Sequence, residues 1–337
     1  MGGYAVFHYR VEIQAFNEYA QDCMSIVVKE NVSLKPHTVF KIGGPARFFV
    51  EVKSSQEFKE ALGFAKEKAA PFFIAGAGSN ILISDKGFDG VFIKNLANKI
   101  DIKGEEVFCE SGAMMPYIAA EAAKAGLSGF EWGIGVPGTV GGSVRGNAGC
   151  YGGEMKDVVR SVEVFNSDTA TSYRLQAINC GFSYRDSIFK KNPGLVVLSA
   201  TLELKKGDET AIRARMRVLT ERRGETQDIG AKCAGCIFKN VLWARRDINK
   251  REFLGRFPVF SRFENDSAIS AGFLIDEAGL KGKKIGGAQI SRKHANFFIN
   301  SGGATAEDVV MLVAVAKEYV HRKFGILLEE EIQYVGF

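Results

Sequence analysis

The chain has 337 residues, 46% of them hydrophobic and 25% charged, the balance of an ordinary globular protein of two or three domains. A net charge of +5, with no basic tract interleaved with aromatics, argues against nucleic acid and suits an anionic small molecule. No apolar run reaches the ~20 residues of a membrane span, and the N-terminus carries charges where a signal peptide needs an apolar centre, so no membrane partner and a cytoplasmic location are expected.

Residues 1–30 read as a leader helix, roughly Val11 to Lys29, with no evident chemistry. Phe48 to Val52 is β-rich, and Ser54-Ser55-Gln56-Glu57 is a capping box opening a helix to about Lys68. Phe72 to Ala75 reads as a buried strand, followed at once by the turn Gly76-Ala77-Gly78-Ser79-Asn80 and a further strand from Ile81. This is not a dinucleotide-binding fingerprint of the βαβ type, because Ile81 stands where the third glycine is required and no helix start follows.

A helix is expected over Met115 to Ala125, then the stretch Gly133 to Gly153, in which nine of twenty-one residues are glycine. Such a run makes neither a long helix nor a regular strand, because glycine raises the entropy cost of both. Its physical uses are a buried irregular loop or a backbone that approaches a ligand closely, with N–H groups suited to a pyrophosphate. Two glycine turns in one chain point to a large phosphate-bearing ligand held between them.

Strands are expected over Val158–Phe165, Thr171–Leu175 and Leu195–Leu204, and a charged helix over Thr210 to Arg223. A second unit starts near Gln227. Within it, a short helix is expected over Ala268–Gly279, strands over Gln289–Ser291 and Asn296–Asn300, and a helix capped by Thr305 and Asp308 to about Lys323. The chain closes with an expected strand from Leu327 to Val335. No internal repeat or low-complexity tract is present.

Three features carry titratable groups. Tyr184-Arg185-Asp186 lies between Phe182 and Phe189, and reads either as a structural Arg–Asp pair or as a planar donor for a carboxylate. Cys233 and Cys236 have redox or zinc half-site spacing, but no second pair of ligands follows, so no metal is expected. They read as ordinary thiols, or one of them as a proton donor, since a thiol of pKa ~8.5 is mostly protonated at neutral pH. In a strand, Glu329 and Glu331 would share one face and Glu330 the other. The four histidines are scattered and suggest no site. The six cysteines are likewise dispersed, as in a reducing compartment.

The text from Asn31 to Gly336 resembles the UDP-N-acetylenolpyruvoylglucosamine reductases (UDP-N-acetylmuramate dehydrogenases), flavoenzymes of peptidoglycan precursor synthesis. The resemblance rests on HTVFKIGGPARFF, GAGSNILISD, GIGVPGTVGGSVRGNAGCYGGE, CGFSYRDSIFK, AGCIFKN, AGFLIDEAGLKGKKIGGAQIS, HANFFIN and LEEEI, in that order. It implies an α+β fold: a two-lobed FAD-binding domain of the vanillyl-alcohol-oxidase (PCMH) type over 31–214, and a smaller α+β substrate domain over 215–322. Residues 323–337 would return as a strand to the FAD domain.

Non-covalent FAD is implied between Gly76, Ala77, Gly78, Ser79, Asn80 and Ile81 on one side and Gly135, Pro137, Gly138, Gly141, Gly142, Asn147 and Gly149 on the other. NADPH is the implied hydride donor and UDP-N-acetylglucosamine enolpyruvate the substrate. Arg185 would hold the substrate carboxylate, Glu331 would assist it, and Cys236 would deliver a proton to C2. Tyr151, Tyr184, Asn240 and Lys281 match positions near substrate.

Many relatives carry serine where Cys236 stands, and a small residue such as serine where Cys233 stands. A disulfide between the two would remove the donor, so oxidative inhibition is an expectation. Only fifty residues separate Arg185 from Cys236, with no tyrosine among them, so the chain resembles the shorter branch that lacks the inserted substrate-clamping tyrosine. A monomer is expected. The alternatives are another FAD-linked oxidoreductase of this fold, which would often tether its flavin through His or Cys, and a non-catalytic UDP-sugar-binding relative.

Overall fold

The computed structural model of the chain describes residues 25–337. Most of the expected leader helix lies outside that range. Its last residues are not helical: Val28 and Lys29 belong to the strand Val28–Ser33, which pairs antiparallel with Pro45–Val52. Val28 and Val32 are half-buried against the apolar clusters of the first lobe while Lys29 and Glu30 face solvent, so pairing with a neighbouring strand overrides any local helical preference.

The first lobe is a four-stranded mixed sheet in the order Val28–Ser33, Pro45–Val52, Phe88–Asn95, Phe72–Ala75. The helix Ser55–Glu67 covers it through Phe58, Ala61 and Leu62, and starts where Ser54 Oγ accepts from the Glu57 amide at 3.2 Å. The second lobe is a five-stranded antiparallel sheet, Thr171–Gln176, Val159–Asn166, Leu195–Glu203, Glu106–Glu110, Ile100–Lys103. Alternation in these strands sends Val107, Val162, Val164 and Leu202 into one core with Ile118 of the helix Met115–Lys124.

The helix Glu209–Thr226 runs unbroken through the expected boundary at 214/215, and its Leu219 packs in the second-lobe core. Packing therefore argues for a break after this helix, near Gln227. The third unit pairs Cys233–Cys236, Phe297–Asn300, Ala288–Ile290 and Lys284–Ile285 in that order. Against it lies the helix Ala306–Phe324, opened by a reciprocal Thr305–Asp308 capping box and closed by Gly325 at φ 72°. The expected helix from Ala268 begins only at Ala271, because Ser270 caps it through the Phe273 amide and Ala268–Ile269 is a short strand.

The units are interlocked. Phe40, Ile42 and Leu82 are buried in the third unit's core, and Gln333–Val335 pairs parallel with Ile81–Ile83. The expected final strand is thus shorter than the apolar and acidic text suggests. Glu329 to Glu331 precede it as an irregular segment, bridged to Phe238 through Glu330.

Candidate active site

The two glycine loops face each other across a cleft of about 380 Å³ that all three units wall. Their packing explains particular glycines: an added Cβ at Gly76 would run into Thr139 Oγ1, and one at Gly78, whose φ is 70°, would run into the His37 carbonyl oxygen. Among the described residues, the amides of Ala77, Gly78, Ser79 and Asn80 meet no protein acceptor. Consecutive free amides on a turn form a concavity for anionic oxygens. Every expected cofactor residue lines the cleft except Asn147: Gly76 through Ile81 on one wall, and Gly135, Pro137, Gly138, Gly141, Gly142 and Gly149 on the other.

Asn147 is used up by the protein. At φ 40° it is buried, donates from Nδ2 to Glu154 Oε2 at 2.8 Å and to the Ser183 carbonyl at 2.9 Å, and accepts from the Lys156 amide at 3.0 Å. It braces the glycine loop from within and does not line the cleft.

Arg185, Cys236 and Glu331 come together on the cleft wall from three separate motifs. Arg185 sits at the tip of a tight turn, with Ser183 and Asp186 exchanging backbone hydrogen bonds at 3.0 and 3.1 Å. Its Nε lies 2.9 Å from Glu331 Oε1, and both side chains are largely buried, at 23% and 18% exposed. The Nε–H is not aimed along that line, so the contact is an ion pair and not a straight hydrogen bond. Burial raises the Glu331 carboxyl above the usual carboxylate range, although Arg185 and Lys190 pull it down. The turn of Asn80 also holds this segment, Nδ2 donating to the Glu331 carbonyl at 3.2 Å.

Cys236 ends a strand bulged at Gly235, whose φ is 72°. Burial pushes its thiol up to about 12, with the Glu331 charge adding to the rise and Arg185 opposing it. The thiol is therefore fully protonated at neutral pH, the state a proton donor requires. Cys233 and Cys236 are both free thiols.

The expected substrate residues do not line the cleft. Tyr184 Oη accepts from the Asn240 amide at 3.1 Å, Asn240 Oδ1 accepts from the Ala271 amide at 3.1 Å, and Lys281 pairs with Asp276 at 2.6 Å. Tyr151 packs beneath Arg222, its hydroxyl buried. Four cleft cations or their partners escaped sequence reasoning: Arg145, Lys190, Arg223 and Gln333. The first two lie inside motifs already marked. Together with Arg185 they leave the cleft cationic, with Glu331 the acid among its lining residues.

These observations fit FAD. The free amides and the cations match a pyrophosphate, and the glycines leave room for backbone approach. Cys150, the thiol nearest the glycine loop, donates to the Trp132 carbonyl at 3.3 Å and is pushed up to about 11 by burial, which makes it a poor nucleophile for a covalent tether. Residues 46–172 match the family model of an FAD binding domain, which sets the class: an FAD-dependent oxidoreductase.

Residues 227–335 match the model of the UDP-N-acetylenolpyruvoylglucosamine reductase C-terminal domain. The chain is 40% identical over 315 residues to the UDP-N-acetylenolpyruvoylglucosamine reductase of Carboxydothermus hydrogenoformans, covering 93% of this chain and 95% of that one. It is 42% identical over 308 residues to the enzyme of the same description from Caldicellulosiruptor bescii, covering 90% and 89%. The crystal structure of that reductase from Thermus caldophilus superposes with a TM-score of 0.72 at 34% identity, covering 92% of this chain and 99% of the other. The chain belongs to the UDP-N-acetylenolpyruvoylglucosamine reductase family.

Proposed function

We propose that this protein uses NADPH to reduce UDP-N-acetylglucosamine enolpyruvate to UDP-N-acetylmuramate, supplying a peptidoglycan precursor. The observation that carries the reading is the meeting of Arg185, Glu331 and Cys236 on one wall of the glycine-lined cleft. The chemistry that bound FAD supplies is hydride transfer, from NADPH to the vinyl carbon C3 of the sugar nucleotide.

Negative charge then develops at C2, conjugated with the carboxylate. Arg185 offers planar donors to that carboxylate, and Glu331 fixes the guanidinium while keeping its charge balanced until substrate arrives. Cys236 donates the proton to C2. A carbanion beside a carboxylate is a far stronger base than a thiolate, so a thiol held at about 12 still gives its proton downhill. The cations Arg145 and Arg223 on the cleft wall suit an anionic nucleotide.

The test is an absorption spectrum of the purified protein without oxygen. The flavin band should bleach with NADPH and return on adding the enolpyruvyl sugar nucleotide. Bleaching without return would leave a flavoprotein with a different substrate.

A further inference from the structure

Arg185 has φ 54°, a left-handed region in which a residue with a Cβ is strained. Glycine would relieve the strain but would delete the guanidinium, so the turn must be held by its surroundings. The Ser183–Asp186 backbone pair closes it, and Asp186 Oδ1 accepts from the Ser187 amide at 2.9 Å. A further group acts on the strained residue itself. Lys190 Nζ donates to the Arg185 carbonyl at 2.6 Å.

Lys190 is an unusual choice for that task. Burial lowers its pKa, so the ammonium is held at a cost, whereas an apolar side chain would fill the same space without one. Its neighbour Lys191 pairs with Asp186 at 3.0 Å, but among the described residues Lys190 forms no ion pair. Beyond the attraction of the Glu331 charge, what the ammonium gains is a charge-assisted, directional bond to one carbonyl, roughly twice as strong as a neutral one. That carbonyl belongs to the residue whose backbone is strained and whose side chain meets Glu331.

We propose that Lys190 is the positioning residue of Arg185: its ammonium fixes the left-handed Arg185 backbone through the carbonyl, and so keeps the guanidinium beside Glu331 and aimed into the cleft. The inference rests on the reading of Arg185 as the group that holds the substrate carboxylate.

The test compares FAD-loaded wild type with Lys190→Met, Lys190→Arg, Arg185→Gln and the Lys190→Met/Arg185→Gln double variant, measuring kcat and KM for the enolpyruvyl sugar nucleotide, flavin content and Tm. Lys190→Met should lower kcat about 10- to 100-fold at unchanged flavin content, the scale on which a displaced catalytic group acts. Lys190→Arg should recover to within about fivefold, because it keeps a charged donor. The double variant should match Arg185→Gln within about twofold, since both changes act through one guanidinium.

Multiplying effects in the double variant would overturn the proposal, because Lys190 would then touch substrate independently. Unchanged kcat in Lys190→Met would overturn it too. Loss of fold or flavin in Lys190→Met would assign the residue to the scaffold instead. A wild type that bleaches with NADPH but does not turn over this substrate is a separate failure, of the functional reading, and the role of Lys190 falls with it.

Discussion

Ser187 Oγ donates to the Arg145 carbonyl at 2.7 Å, tying the turn that presents Arg185 to the glycine loop that lines the cleft. Asn147 makes a second tie through the Ser183 carbonyl, and Arg145 Nη1 reaches Gln333 Oε1 at 2.6 Å, two residues beyond Glu331. The glycine loop, the arginine turn and the C-terminal segment are therefore tied together, by hydrogen bonds to Gln333 and by the ion pair to Glu331.

Glu331→Gln keeps the shape of this unit and removes one charge. We expect kcat to fall about 10²- to 10³-fold, the range seen when a preorganised electrostatic group is lost, with flavin content unchanged. Stability should change little, because the variant leaves Arg185 without its partner but also relieves a carboxylate that burial disfavours. Single-turnover kinetics check this: the NADPH half-reaction should stay fast while reoxidation by the sugar nucleotide slows. Equal slowing of both half-reactions would show that Glu331 acts on the flavin.

Cys236→Ser retains a donor of the right size and should keep turnover within about tenfold, whereas Cys236→Ala should lose about 10²- to 10⁴-fold in the oxidative half-reaction alone. Full activity in the alanine variant would remove Cys236 from the mechanism. Because burial holds the wild-type thiol at about 12, its activity should show no alkaline loss near pH 8.5 from this group. The experiment is a pH profile of the oxidative half-reaction.

The glycine loops were legible because such a dense run of glycine has few structural uses, and a turn of free amides is one of them. Arg185, the Cys233–Cys236 pair and the Glu329–Glu331 run were legible as candidates, and the resemblance picked the roles and the particular thiol and acid. Nothing local to Glu331 distinguishes it from its neighbours, since the alternation argument assumed a strand. In the irregular segment that forms instead, Glu329 turns to Lys239, Glu330 to Lys317 and Glu331 to Arg185. Asn147, carried over with the glycines by the resemblance, has a positive φ that turns its side chain back into the protein. Arg145, Lys190 and Arg223 show the opposite failure. Whether a cation faces a cleft or solvent is settled by tertiary packing, and spacing carries no trace of it.

Two glycine-to-alanine changes should differ in sign. Gly76→Ala drives a methyl into Thr139, so the two loops must separate, and FAD content should fall at least about tenfold. Gly63→Ala lies exposed in the helix Ser55–Glu67 with nothing within 4 Å of the new methyl, and should stabilise by about 0.5–1 kcal/mol. Flavin absorbance and denaturant unfolding measure the two effects. Normal FAD loading in Gly76→Ala would mean that the loops do not rely on that contact.

Alkaline stability should be set in part by thiols. Burial pushes Cys109 and Cys236 up to about 12, and Cys150 and Cys180 up to about 11. In the unfolded chain each would titrate near 8.5. Between those values the folded state holds protons that the unfolded state has released, so stability must fall as pH rises. The contribution is intact below about pH 8 and erodes progressively toward pH 11, each thiol adding a slope of about 1.4 kcal/mol per pH unit. Cys109→Ala costs stability at pH 7, because a buried side chain is cut back. It also removes one titrating group, so its Tm should decline less steeply than the wild type's between pH 9 and 11. Lysines and tyrosines titrate in both proteins and cancel in the comparison. Parallel Tm–pH curves would show that the Cys109 thiol does not hold its proton more tightly in the folded state.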